Sequence, residues 1–352
     1  MVDYFSIETP DYPIKCKRFL PGTADVHYVI LGVHGFAGDK ESGALTLLAE
    51  KTAPLGACLV CFDFPAHGDS PADESALTVK NCMRDLLTVA AHCRSAYPDA
   101  EKCLFTTSFG GFVTLLCSGE LTDFRTVLRA PAVTMPEILP RVLGVTPGEF
   151  REKGAVECGF ERRMTLPYSF YEELRRFDVF DKTYPEPMLI LHGDADDVVP
   201  PADVRKFCAA HPGMRLQTIH GADHRFKHPG ELESVAYYAM DFWGMHGCAD
   251  ERIERVRRME EAFDAVSAAI RALSDALDGY EEARKALDRL TEYYESPLWR
   301  EDFEADETGL LPPDLKRGVL GEDGIWNLLT EWQELKERMR GISAGTEKTE
   351  DE

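Results

Sequence analysis

KCLFTTSFGG, residues 102–111, is an apolar run that stops at Ser108 and is followed by two glycines. A strand ending there, with a helix starting at about Gly110, holds a serine hydroxyl exposed at the carboxyl edge of a sheet. Such a turn is sterically crowded and needs small neighbours, which Gly110 and Gly111 supply. The usual pattern is G-x-S-x-G. Here Thr106 stands at the first glycine, so a branched side chain must fit where none is normally present.

Working outward, similar apolar runs recur on both sides: VHYVILGV (26–33), ACLVCFDF (57–64), RTVLRAP (125–131), PMLILHG (187–193) and RLQTIHG (215–221). Amphipathic stretches such as 78–97 and 231–243 lie between most of them. Strands apolar on both faces, alternating with helices, predict a mostly parallel sheet covered by helices on both sides. Residues 132–182 form too long a connection for that alternation and predict a cap inserted at a strand's carboxyl end. The pattern changes near Gly247. From Asp250 onward there are 28 Asp+Glu against 15 Lys+Arg, a net of −13 within the chain's −23.

Two further strand ends carry polar clusters. LHGDADDVVPP offers Asp194, Asp196 and Asp197, and IHGADHRF offers His220 and His224, with His228 nearby. A fourth element, VHGFAGDK, is a glycine-lined turn whose backbone amides can face an oxyanion. The chain order Ser, Asp, His is that of the α/β-hydrolases rather than of the chymotrypsin or subtilisin types.

On these residues the first part of the chain resembles the α/β-hydrolase superfamily, most closely its cinnamoyl- and feruloyl-esterase-like branch. The matching pieces are His34-Gly35-Phe36-Ala37-Gly38-Asp39-Lys40, Phe62 to Ser70, Ser108-Phe109-Gly110-Gly111, and the Asp and His loops. The resemblance implies an α/β-hydrolase fold with a cap. It selects Asp196 within G-x-x-D-x-x-V-P and His224 within G-x-x-H-x-F. It also implies a Ser108–His224–Asp196 triad that works through an acyl-enzyme, with the backbone amides of Phe36 and Phe109 as oxyanion donors. Tyr168, Phe170 and Tyr171 are candidate pocket residues from the cap. No cofactor or metal is implied. The expected substrates are small acyl or hydroxycinnamoyl esters. A thioesterase, a monoacylglycerol lipase or an aminoacyl-peptidase would carry the same loops. A binding protein that retains the fold and works through its acidic helical part is the non-enzymatic alternative.

The remaining features bound the class. So negative a surface disfavours nucleic acid and anionic lipid as partners. No apolar run approaches the roughly 18 residues of a membrane helix, and the N-terminus lacks a basic then apolar leader, so a cytoplasmic protein is expected. Cys58-Leu-Val-Cys61 lies in a strand-like run, where residues three apart face opposite ways, so buried thiols are expected rather than a redox pair. The four-residue spacing of His220, His224 and His228 suggests metal ligands only on a helix, and Gly221 argues against one. The domains expected are 1–249, an acidic all-α domain at 250–341, and a disordered tail at 342–352. In the acidic part, the stripe Val256, Met259, Phe263, Val266, Ile270, Leu273 and Leu277 predicts a helix. Gly279 is expected to break it into a hairpin, Glu301–Glu307 to form a solvated loop, and a third helix to lie around 324–340. The stripe is expected to be the core of a small bundle, with self-association as a second role. This segment resembles a small bacterial helical domain of unknown function, through Tyr293-Tyr294, Trp299, Asp302-Phe303 and 315–325.

Overall fold

The strand runs assemble into one sheet. In the computed structural model, which describes residues 1–23, 25–159, 162–184, 187–245 and 251–346, the strands are β1 (Val2–Ile7), β2 (Ile14–Phe19), β3 (Tyr28–Val33), β4 (Ala57–Phe62), β5 (Glu101–Thr107) and β6 (Arg125–Arg129), with β9 (Met188–Gly193) and β10 (Met214–Ile219). Their order is β1-β2-β4-β3-β5-β6-β9-β10. Pairing is parallel from β4 to β10, and antiparallel only where β1 meets β2 and β2 meets β4. All six parallel strands therefore end on one edge. This is an α/β-hydrolase fold.

Helices cover both faces because each presents one apolar side. In α2 (Val79–Ala96) the buried Val79, Cys82, Leu86, Val89 and Cys93 recur at helical spacing, and the Thr78 hydroxyl caps the start by accepting from Asn81 N–H. On the opposite face, α8 (Glu231–Trp243) buries Val235, Ala236, Ala239 and Trp243. Strand alternation feeds the two cores separately: Cys58, Val60 and Phe62 of β4 face one, Leu59 and Cys61 the other. The two cysteines of the C-x-x-C thus lie on opposite sides of the sheet, and Cys58 Sγ contacts the Tyr97 hydroxyl instead.

Between β6 and β9 lie α4 (Met135–Val142), α5 (Pro147–Lys153), the antiparallel pair β7 (Ala155–Cys158) and β8 (Met164–Pro167), and α6 (Tyr168–Leu174). Two ion-like contacts fasten this cap to the core. Glu173 accepts from the free N–H groups of Val79 and Lys80 at the start of α2, a favourable place for a carboxylate. Arg162 donates to the carbonyls of Gly68 and Ser70.

The chain divides into two compact units, residues 1–258 and 259–352. The boundary expected at 249/250 lies outside the described residues. In the second part the expected hairpin is replaced by one helix, α9 (Glu251–Glu295), which runs straight through Gly279. One internal glycine costs a helix only about 1 kcal/mol relative to alanine, too little to break a periodic segment that contains no proline. The expected acidic loop is also helical: α10 (Pro297–Glu307) begins with a proline at its first position, where no N–H is needed. The third helix, α11, spans Glu322–Thr346, so the tail expected from 342 is helical to 346 and otherwise lies outside the described residues. Tyr280 stacks on Trp332, and Trp299 on Phe303. The stripe from Met259 to Leu277 is exposed rather than forming a bundle core. Among the described residues no helix is long and apolar enough to cross a membrane.

Candidate active site

The loops at the carboxyl ends of the parallel strands converge on Ser108. It sits between β5 and α3 (Phe109–Leu116) with φ 50° and ψ −115°, a conformation L-residues rarely adopt. Its backbone is pinned there: Ser108 N–H donates to Arg129 O, and Ser108 O accepts from Phe112 and Ala132. The glycines are required by close approach. A Cβ on Gly110 would lie 2.4 Å from His34 O, and one on Gly111 2.9 Å from Pro131 Cβ. Thr106 fits at the position usually held by glycine, fully buried, its hydroxyl without a hydrogen-bond partner among the described residues.

Three side chains form a line from this turn. His224 Nε2 is 3.1 Å from Ser108 Oγ, and His224 Nδ1 is 2.8 Å from Asp196 Oδ2. The other oxygen of Asp196 accepts from Val198 and Val199 N–H at 2.9 and 2.7 Å. Of the three carboxylates in the loop, only Asp196 is buried. Asp194 turns to the neighbouring strand end instead, bonding His220 Nδ1 and accepting from Gly221 N–H at 2.6 Å. Asp197 is exposed. His220 and His228 stay out of the line, and no metal-ligand cluster occurs among the described residues.

The loop after β3 lies against the serine: a Cβ on Gly35 would meet Ser108 Cβ at 3.1 Å. Phe36 and Phe109 lie on either side of the Ser108 turn with their rings 5.9 Å apart. Among the described residues neither backbone N–H has a hydrogen-bond acceptor, and Phe109, as the first residue of α3, has none within its helix. Phe170 from α6 is buried 6.1 Å from both rings. Tyr168 and Tyr171 gather instead around Phe150 inside the cap.

Several contributors were given no role in the sequence reading, even where they lie inside the matching motifs. Lys40 is buried and bonds Asp63 at 2.8 Å and Asp69 at 2.5 Å, while its own N–H donates to the other oxygen of Asp63. Burial works against its charge, but the bonds from Asp63 and Asp69 more than reverse this and raise its pKa. Arg129 is buried on the face of the Phe226 ring, where burial pushes its pKa down to about 10 against the pull of Asp196 and Asp223. His192 is also buried and, with its pKa lowered by burial, contacts Val199 O at 3.1 Å beside Asp196. A charged residue closing an apolar run, as Asp63 and Arg129 do, is the signal that marks such groups in a sequence.

Among the described residues, five non-glycine residues have positive φ: Ala37, Ala66, Ser108, Ala130 and Phe226. All lie in loops after the carboxyl ends of parallel strands. Strain of this kind, on the order of 1–3 kcal/mol each, persists only where surroundings over-determine it. A cavity of about 890 Å³ opens at the opposite edge, among Asp25, His27, Tyr28, Tyr97, Asp99 and Glu101. It contains none of these groups and is remote from Ser108.

Residues 30–235 match the model of the alpha/beta hydrolase family, and residues 256–342 match a domain of unknown function, DUF4298. A search of curated proteins gave no match. Among solved structures, the chain is similar to Est1E from Butyrivibrio proteoclasticus with ferulic acid bound (22% identity, TM-score 0.60, covering 68% of this chain and 97% of that one). It is also similar to a putative hydrolase from Agrobacterium vitis S4 (23%, 0.58, 69% and 99%) and to alpha/beta hydrolase domain-containing protein 10 from mouse (18%, 0.55, 69% and 98%).

Proposed function

From the premise that this chain belongs to the alpha/beta hydrolase family, we propose that it is a serine carboxylesterase. The observation that carries this reading is the hydrogen-bonded line Ser108–His224–Asp196, set on a serine held at positive φ. His224 Nε2 takes the proton as Ser108 Oγ attacks the ester carbonyl carbon. Asp196 holds the proton on Nδ1 and stabilises the imidazolium. The negative oxygen of the tetrahedral intermediate lies against the two amides of Phe36 and Phe109, which have no acceptor among the described residues. Collapse breaks the C–O bond, and His224 returns its proton to the departing alcohol. Water then repeats the sequence on the acyl-enzyme and frees Ser108. No step calls for a metal or organic cofactor.

The acyl group is proposed to be small or aromatic, because the partly exposed ring beside the serine is Phe36, backed by the buried rings of Phe109 and Phe170. The ferulic acid in the Est1E structure is consistent with a hydroxycinnamoyl group. The test is a panel of p-nitrophenyl and feruloyl esters, run with a fluorophosphonate probe on wild type and Ser108→Ala. Turnover and labelling that depend on Ser108 support the reading. Pure, folded wild type that neither turns over esters nor takes the label overturns it.

A further inference from the structure

Two buried histidines tie the loop after β3 to the loop after β4 by a reciprocal exchange. His34, on the first loop, accepts from Phe64 N–H on the second at 3.1 Å. His67, on the second, accepts from Ala37 N–H on the first at 3.0 Å. In each case the acceptor is Nε2, and a backbone amide can only donate. Each ring must therefore be neutral with its proton on Nδ1, and that nitrogen has a carbonyl to receive it: Gly35 O at 2.7 Å from His34, and Pro65 O at 2.8 Å from His67.

The bonds fall on the two peptide units that flank Phe36. Gly35 C=O and Phe36 N–H belong to the same planar amide. Fixing the carbonyl with His34 Nδ1–H fixes the plane in which Phe36 N–H points, and polarises that N–H toward a stronger donor. The next unit carries Ala37 N–H, which His67 holds. Ala37 itself has φ 59°, so the loop needs outside support to keep this course.

We propose that His34 and His67 are positioning residues for the oxyanion hole, acting as a matched pair of neutral imidazoles that orient the Gly35–Phe36 peptide. This rests on the serine-hydrolase reading above. Burial holds both rings well below the ordinary histidine value, His34 at about 4 and His67 at about 3. The groups that bear on them are Lys40, which disfavours charge on His34; Asp63, which favours it on His67; Arg162, which disfavours it there; and the rings on each other, 5.2 Å apart. The pair therefore stays neutral at neutral pH, as the two accepting Nε2 atoms require.

Asparagine and glutamine separate the two nitrogens of His67, because the asparagine amide reaches the place of Nδ1 and the glutamine amide that of Nε2. His67→Asn keeps a donor for Pro65 O and loses the acceptor for Ala37; His67→Gln keeps the acceptor. Full-length His67→Asn should lose about 10- to 100-fold in kcat on p-nitrophenyl acetate, with KM within about threefold, since a whole oxyanion donor is worth 10²–10³. Affinity for an aryl trifluoromethyl ketone, whose adduct on serine carries the oxyanion, should fall in parallel. His67→Gln should recover most of both. Equal kcat in wild type and folded His67→Asn, or a loss confined to KM, overturns the proposal. Should neither variant fold, ¹⁵N NMR of the wild-type imidazoles decides the tautomers: two rings neutral at pH 6 with the proton on Nδ1 support it, and a charged ring or an Nε2–H tautomer refutes it. Absence of ester turnover and fluorophosphonate labelling in wild type would instead defeat the serine-hydrolase reading, and the NMR measurement stays independent of that.

Discussion

Asp196→Asn is the sharpest perturbation of the proposed triad, because it changes one proton and almost no volume. The native carboxylate takes three hydrogen bonds, two from Val198 and Val199 N–H on Oδ1 and one from His224 Nδ1 on Oδ2. If the asparagine carbonyl stays with the two amides, its NH₂ faces His224 Nδ1 at about the native 2.8 Å. Nδ1 must then become the acceptor, the ring proton moves to Nε2, and Ser108 loses its base. If the amide flips instead, two buried N–H groups face an NH₂, at roughly 1–3 kcal/mol for each unsatisfied donor. Either way the active tautomer is disfavoured. The same change in serine proteases costs about 10⁴ in kcat, which is about 5.5 kcal/mol. Asp194→Asn is the control: that carboxylate is exposed and bonds His220 and Gly221, so kcat should stay within about tenfold. The assay is kcat on p-nitrophenyl acetate, with circular dichroism to establish folding. Asp196→Asn within tenfold of wild type, or Asp194→Asn equally damaging, refutes the reasoning.

Three further outcomes follow from the same geometry. Ser108→Ala should lower kcat by about 10⁴–10⁶ while the far-ultraviolet dichroism is unchanged. Stability should fall as pH drops below about 6.5, because the unfolded chain binds protons that buried His34 and His67 refuse until about pH 4 and 3; the slope is up to ~1.4 kcal/mol per pH unit for each ring. Urea midpoints at pH 7 and pH 5 measure this, and His67→Gln should remove about half of the pair's share of the slope. Lys40→Met leaves Asp63 buried without its cation and should destabilise by ~3–5 kcal/mol, read from the same urea titration.

The legible parts of this fold are those where both faces of an element are buried. β3 and β4 are legible as the runs 26–33 and 57–64, which the structure trims to Tyr28–Val33 and Ala57–Phe62, because nearly every residue is apolar and nearly all are buried. β1 and β2 do not, since Val2–Ile7 has one face in solvent and Ile14–Phe19 carries Lys15, Lys17 and Arg18. The helical part failed for another reason: Gly279 and Pro297 look like breaks, yet one is absorbed by a long helix and the other opens a new one.

Choosing Asp196 among three carboxylates took a motif, because the loop itself is symmetric in chemistry; what distinguishes it physically is burial and two backbone donors. The stitch between His34 and His67 was beyond any local pattern, since each ring is satisfied by a loop about thirty residues away. The backbone strain around the site is likewise a finding of the structure. Ala37, Ala66 and Ala130 occupy conformations in which glycine would sit without strain, each in a loop at the sheet edge that carries Ser108. Alanine there costs stability but narrows the unfolded chain and the alternatives open to each loop. The compensation is visible in the same loops: Lys40 with Asp63, the two neutral imidazoles, the Ser108 N–H donated to Arg129 O and the Ala132 N–H donated to Ser108 O. Local conflict repaid by a tertiary network is the signature expected of a site held for chemistry, and the network here closes on Ser108, whose Oγ lies 3.1 Å from His224 Nε2.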